Sequence, residues 1–351
     1  MSDDTGYSGY QYPPSAYANK DNPSDQGYGD SKDTSSPYSD KGSMSKSAAA
    51  PDAAHSATTS PSSGLGNGVN LQPSYSNQGD ADLGWALMKN YPKILTVRIE
   101  IEPGQEKNAQ RWIKEAVTNG YKVIATYHKS KAPLGTDNVA ELKAAAVWWV
   151  KYYSQLSASG SFIVNLMNEW GSHNISSNDY AAAYNMAITT LRTIYSGPVI
   201  IDLPGWGQGT HTAAEAVKGT NGIQINDTNI FLSAHIYPDA YNGGKKRNMI
   251  DADLDELAST GRVCMIGEFG DYAKNKAVSW SALVDYAKSK EWTIIGWAWG
   301  GDNAAGVGSS LNMNMIKSNL MTTKGEFDPY KAGSNAAYTE SSYFKTIHDK
   351  L

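Results

Sequence analysis

From Leu65 onward the chain alternates two kinds of apolar pattern. One is a short, nearly continuous run: Asn67–Leu71, Ile94–Ile99, Tyr121–Tyr127, Phe162–Asn168, Pro198–Leu203, Asn229–Ile236, Arg262–Gly267 and Thr293–Trp299. Runs of this length without alternation suit strands covered on both faces. The other has helical spacing. In Gln105–Asn119 the apolar residues Ala109, Trp112, Ile113, Ala116 and Val117 fall on one face of a 3.6-residue period, and Asn119-Gly120 supplies a stop. Helices are likewise predicted at Asp80–Tyr91, Asn138–Leu156, Ser177–Tyr195, Thr212–Lys218, Met249–Ser259, Ser279–Lys288 and Thr339–Leu351. Ser176, with Asp179 three residues on, gives Ser177–Tyr195 a capping-box-like start.

Eight strands, each followed by a helix, within residues 64–351 predict an α/β fold, a (β/α)8 TIM barrel. An open doubly wound sheet is the alternative. It would usually carry a Gly-rich phosphate turn after its first strand, and Gly205-Trp206-Gly207-Gln208-Gly209 does not fit that pattern because Thr210 holds the place of the last glycine.

Residues 1–63 are of another composition. Before Leu65 there is no Val, Ile, Leu, Phe, Trp or Cys, only small and polar residues with scattered tyrosines. Such a segment cannot bury enough apolar area to offset its ordering entropy, so a disordered, low-complexity tail is expected. The net charge of −5 offers no basic face for nucleic acid. No stretch approaches the roughly 18 apolar residues of a membrane span. The lone Cys264 excludes an intrachain disulfide and provides no Cys-His metal cluster. No metal or other cofactor is called for, and the chain is read as a monomer.

In a (β/α)8 barrel the chemistry lies at the C-terminal strand ends. There the sequence places Arg98, His128, Asn168-Glu169-Trp170, Asp202 with Gly205-Trp206-Gly207-Gln208, His235-Ile236-Tyr237, Glu268 and Trp297-Ala298-Trp299. Two carboxylates, Glu169 and Glu268, close strands four and seven, whose ends face each other across a barrel mouth. A pair of carboxyl groups about 5–5.5 Å apart is what retaining glycoside hydrolysis requires.

These residues resemble glycoside hydrolase family 5, in clan A. Val164–Trp170 is similar to the acid/base strand, Ile266–Gly270 to the nucleophile strand, and Ser233–Tyr237 to the His-x-Tyr of strand six. Arg98, His128 and Trp297 stand at the matching places on strands two, three and eight, so the resemblance covers nearly all of residues 65–300. It implies Glu169 as acid/base and Glu268 as nucleophile. It further implies Asn168 on the sugar 2-hydroxyl, Tyr237 donating to the nucleophile and Arg98 holding it ionised. His128 and His235 would bind sugar or orient the acid/base, and Trp297 would be a stacking platform. Trp206, Trp299 and Trp170 are candidates for either stacking or barrel packing.

Gly205-Trp206-Gly207-Gln208 looks most like bacterial-type endo-β-1,4-mannanases, which makes mannan the expected polysaccharide and cellulose the alternative; Gln72-Pro73-Ser74-Tyr75 and the Pro238–Gly244 loop depart from that pattern. A rival of another class is a non-catalytic glycan-binding barrel, which would have no need of the glutamate pair. Residues 1–30 lack the apolar run of a secretory signal, yet a polysaccharide is met outside the cell, so an extracellular protein is expected.

Overall fold

The computed structural model describes residues 61–75, 77–130, 133–271, 277–302, 313–318 and 338–351. The expected tail falls, up to residue 60, outside the described residues. Within them the alternation closes into a barrel. Its strands are β1 (Gly68–Leu71), β2 (Thr96–Ile101), β3 (Lys122–Tyr127), β4 (Ile163–Asn165), β5 (Val199–Asp202), β6 (Ile230–Ile236), β7 (Val263–Phe269) and β8 (Thr293–Gly300). All pair in parallel in chain order, and β8 returns to β1. The fold is a (β/α)8 TIM barrel.

The outer helices are α1 (Trp85–Met88), α2 (Glu106–Thr118), α3 (Val139–Ser157), α4 (Ser177–Leu191), α5 (Thr210–Lys218), α6 (Asp251–Ala258), α7 (Trp280–Ser289) and α8 (Phe344–His348). Helix α2 buries Ala109, Trp112, Ile113 and Ala116, the face its periodicity selects. Helix α4 is capped by Ser176, whose Oγ accepts the Asp179 amide at 3.0 Å.

Three elements differ from the sequence reading. Helix α1 is four residues long, because Gly84 enters it in the left-handed region (φ 72°) with its N–H donated to Asp82 Oδ1 at 2.8 Å. The helix expected over Thr339–Leu351 is reduced to α8. Tyr338–Glu340 instead pairs antiparallel with Ile316–Ser318, and the Tyr338 hydroxyl donates to the Asp82 carbonyl at 2.6 Å. Strand β7 runs through Phe269, so Glu268 stands inside the strand rather than after it.

The core has two shells. Apolar residues between strands and helices form the larger one; Ile124, Ile200, Phe231, Met265 and Ile295 fill the lower barrel interior. Above that inner layer the inward positions turn polar: Asn70, Arg98, Thr126, Asn165, Asp202 and Ser233 are all fully buried. The barrel therefore carries an apolar floor and a polar upper storey.

Closure at the β1–β2 seam depends on the absence of a side chain at Gly68. A Cβ there would stand 1.8 Å from the Thr96 carbonyl oxygen, a backbone atom fixed by the strand. Gly68→Ala is expected to destabilise the barrel by about 2–3 kcal/mol or more, lowering the melting temperature by several degrees in a calorimetric scan. An unchanged melting temperature would refute this account of the seam.

Candidate active site

The polar storey is organised around Arg98, which points inward from β2 and whose side chain is 1% exposed. Its Nε donates to Asn165 Oδ1 at 2.9 Å. Nη1 faces Asn70 Oδ1 at 2.9 Å, Glu100 Oε1 at 2.7 Å and Glu268 Oε1 at 2.9 Å. Nη2 faces Asn168 Oδ1 at 2.7 Å and Asp202 Oδ2 at 3.1 Å. A buried guanidinium is tolerated only when its five N–H donors are met, and here six acceptors from five strands or strand ends meet them.

Glu268 is fully buried, and Tyr237 donates its hydroxyl to Glu268 Oε2 at 2.8 Å while Arg98 holds Oε1. Glu169 follows β4 in the left-handed region (φ 48°) and is 1% exposed. Its Oε1 lies 2.8 Å from His235 Nδ1, and its Oε2 has no hydrogen-bond partner among the described residues. His235 Nδ1 is also 3.6 Å from Glu268 Oε2, and its Nε2 is 3.5 Å from Asp202 Oδ2. Ligating atoms of Glu169, His235 and Glu268 all lie within 4.8 Å of one another, so the two carboxyl groups stand close across the mouth. The same three atoms could meet a cation, but His235 Nδ1 is at hydrogen-bonding distance from Glu169 and the arrangement suits proton transfer.

Burial pushes the carboxyls of Glu169 and Glu268 above the usual range; His235 opposes this at both, and Arg98 and the Tyr237 hydroxyl oppose it at Glu268. Burial also acts on Asp202, but His235 and Arg98 outweigh it and bring that carboxyl down to about 2. His235 is pushed down by burial and raised further by Glu268, Asp202 and Glu169, to about 10, so it is an imidazolium at neutral pH.

His128 sits at the rim of this cluster, its Nε2 3.7 Å from Glu100 Oε2 and its Nδ1 3.8 Å from Glu102 Oε1; burial lowers its pKa, leaving it neutral. Trp297 packs with Tyr237 and Met313 and donates Nε1–H to Asp302 Oδ1 at 3.1 Å; its peptide to Ala298 is cis. Trp206 is half-buried on the turn after β5, against His173 at 5.0 Å between ring centroids and over Gly135, whose N–H holds the Glu169 carbonyl at 2.9 Å. It thus borders the Glu169 side of the mouth.

The expectation for Trp299 is corrected. Its indole is fully buried on the outside of β8, donates to the Leu83 carbonyl at 2.9 Å and meets Tyr91 edge-on, so it serves packing. Trp170 is also spent on packing, stacked on Tyr180 and donating to the Asn138 carbonyl at 3.0 Å. Sequence reasoning missed Glu100, Asn70 and Asn165 and gave Asp202 no task. The signal for Glu100 was present: in Arg98-Ile99-Glu100-Ile101 charges alternate with isoleucine in an otherwise apolar strand, which turns both charged side chains to the interior.

A parallel (β/α)8 barrel with two adjacent buried carboxyl groups, a guanidinium and an imidazole at its C-terminal mouth has the architecture of a hydrolytic enzyme of the barrel class. The family model described as Cellulase (glycosyl hydrolase family 5) matches residues 85–303, more than half of the chain, and the chain belongs to that family. It is 24% identical to a mannan endo-1,4-beta-mannosidase of Streptomyces lividans over 261 residues, which cover 70% of this chain and 65% of that relative, just under two thirds of its length. Its fold is similar to the catalytic domain of a mannanase from Streptomyces sp. SirexAA-E, with TM-score 0.59, 16% identity, and coverage of 89% of this chain and 95% of the other. It is equally similar to the catalytic domain of an endoglucanase from Thermobifida fusca, with TM-score 0.59, 15% identity, and coverage of 82% and 91%.

Glu100 gives the site a measurable signature. Burial raises its carboxyl to about 7 despite Arg98, so the folded protein keeps a proton there that the unfolded chain releases near pH 4.5. Between those values the folded state binds more protons, and this group's contribution to stability falls as pH rises. Glu100→Gln is expected to remove that loss, so that its stability relative to the parent improves by on the order of 1–3 kcal/mol between pH 5 and pH 8 in denaturant titrations. A parallel pH dependence in parent and variant would refute the raised pKa.

Proposed function

We propose that the protein is a retaining endo-β-1,4-mannanase. The observation that carries the reaction is the proximity of Glu169 and Glu268, with carboxylate oxygens within 4.8 Å. Retaining enzymes need a separation of about 5–5.5 Å so that one carboxyl reaches the anomeric carbon directly, whereas inverting enzymes need roughly 6.5–9.5 Å to admit water between. What supports mannan is the curated relative and the mannanase fold neighbours, together with Gly205-Trp206-Gly207-Gln208 after β5. The endoglucanase neighbour supports β-1,4-glucan as the second reading.

In this reading Glu268 is the nucleophile. Arg98 and Tyr237 each donate to one of its oxygens, which favours the ionised form and aims the carboxylate. Glu169 is the acid/base. His235 occupies Oε1, and the unpartnered Oε2 carries the proton. In the first step Glu268 attacks the anomeric carbon, the glycosidic bond breaks, and the Glu169 proton passes to the leaving oxygen. A glycosyl ester forms on Glu268 while Glu169 becomes a carboxylate. In the second step Glu169 takes a proton from water, the hydroxide adds to the anomeric carbon, and the ester bond breaks. Two displacements restore the original configuration. Asn168, with Oδ1 committed to Arg98, has its amide N–H groups left for the 2-oxygen of the sugar. Trp297 lies beside Tyr237 as the platform beneath that sugar, His128 contacts it from the rim, and Trp206 borders the leaving-group side.

Two measurements test this reading. Reducing-sugar release should be faster from galactomannan than from carboxymethylcellulose at equal mass, and the reverse order would move the assignment to glucan. Glu268→Ala should lose at least about 10³-fold in kcat, and azide should restore turnover with a glycosyl azide of inverted configuration as product. Substantial residual activity without azide rescue would remove Glu268 as nucleophile.

A further inference from the structure

The reaction just described uses Glu169, Glu268, Arg98, His235 and Tyr237 and gives no task to two buried carboxyls beside them, Glu100 and Asp202; of these, Asp202 touches both Glu169 and His235. Asp202 ends β5 with no solvent exposure. A single oxygen, Oδ2, faces Nη2 of Arg98 at 3.1 Å, the backbone N–H of Glu169 at 3.2 Å and Nε2 of His235 at 3.5 Å. The Asp202 carbonyl is gripped from α4 by the hydroxyls of Tyr180 at 2.7 Å and Tyr184 at 3.4 Å. The carboxylate is therefore fixed from behind and touches both arms of the site.

Two features of those arms call for such a group. Glu169 has φ of 48°, in the left-handed region that a residue with a Cβ disfavours, and must be held there. The Asp202 contact to its N–H and the Gly135 contact to its carbonyl do so on either side. His235, fully buried, meets carboxylates at both ring nitrogens: Glu169 and Glu268 at Nδ1, Asp202 at Nε2. Behind these stand Arg98 and Glu100 of β2, which complete its charged surroundings.

We propose that Asp202 is a positioning residue for proton transfer: it anchors the main chain of Glu169 and keeps His235 an imidazolium whose Nδ1–H is directed at Glu169 Oε1. The inference rests on reading Glu169 as the acid/base. An imidazolium so placed has a definite use. When the glycosyl ester forms, negative charge leaves Glu268 and appears on Glu169. A fixed positive charge 3.6 Å from one and 2.8 Å from the other stabilises both ends of that transfer without moving.

Asp202→Asn tests this in the full-length protein, because the amide keeps the shape and one acceptor oxygen while removing the charge. Two readouts separate a positioning role from a merely structural one. The first is the ring ¹⁵N shift of His235 in histidine-labelled protein, identified by its absence in His235→Gln. The parent should hold the imidazolium signature through pH 8, and in the variant the midpoint should fall by about one pH unit or more. The second is leaving-group dependence. On mannooligosaccharides, whose leaving oxygen needs protonation, kcat/KM should fall about 100-fold. On a dinitrophenyl β-mannoside, whose leaving group departs without a proton, it should stay within about 3-fold, since only the acid arm is impaired. If Asp202→Asn does not fold, Asp202→Ser removes the same charge and carries both readouts. An unmoved His235 midpoint, or equal losses on the two substrates, overturns the proposal. Parent protein that hydrolyses neither substrate would instead defeat the activity reading, and the His235 titration would still decide the Asp202 contact.

Discussion

The polar half of this barrel depends on one buried cation. Withdrawing a guanidinium from water costs several kcal/mol even after relaxation, and the cost is offset only if every N–H is met with good geometry. Arg98 satisfies that condition with Asn70, Glu100, Asn165, Asn168, Asp202 and Glu268, contributed by β1, β2, β4, β5 and β7 or their ends. The strands above the Ile124–Ile295 layer are consequently set at fixed spacing by side chains as well as by their ladders. Glu268 and Asn168 are acceptors of Arg98, and Glu169, His235, Tyr237 and His128 are one contact removed from an acceptor. Preorganisation is thus built into the same hydrogen bonds that allow the charge to be buried.

That arrangement poses a problem of proton allocation. Glu100, Glu169, Asp202 and Glu268 surround Arg98 and His235, so with every group charged the cluster is negative inside a low-dielectric interior. Protons must be held on some carboxyls at neutral pH, and the geometry ranks them. Asp202, between Arg98 and His235, stays ionised. Glu268 receives the charged Arg98 donor and a phenol. Glu169 and Glu100 are raised by burial, and neither has the paired Arg98 and Tyr237 donors of Glu268. In the proposed mechanism this would separate an acid and a nucleophile of the same residue type in one small volume, and because the groups are coupled their titration belongs to the cluster.

Much of this was legible in the sequence because strand period and barrel geometry are local rules. The eight apolar runs give the strands, and an alternating strand that ends at a mouth presents its last inward residues there, which is how Arg98, Glu169, His235 and Glu268 come together. What escaped the sequence was set by contact rather than by period. Asn70, Asn165 and Glu100 look unexceptional until Arg98 is placed among them. Trp299 is two residues from Trp297, on the same face by strand alternation, yet its indole meets Leu83 and Tyr91 outside the barrel. Gly84 delays the start of a helix whose apolar spacing begins earlier, because its left-handed φ belongs to a turn bonded by Asp82.

The same contacts explain why the catalytic core specifies a reaction more closely than a sugar. Mannose and glucose differ only in the orientation of the 2-hydroxyl. In the proposed function Asn168 meets that hydroxyl, and its orientation is fixed from the oxygen side by Arg98, which leaves it as a donor of fixed direction. A donor to the 2-oxygen strengthens as charge develops at the neighbouring anomeric carbon, and that gain is available to either sugar. Discrimination then has to come from groups that meet the sugar away from the reacting centre. Trp206, on a backbone of φ 56° after β5, and His128, flanked by Glu100 and Glu102, stand at the rim without a bond of their own to Arg98. Under the proposed function the reaction is thus encoded in the buried cluster, and a preference for one polysaccharide falls to the residues around its edge.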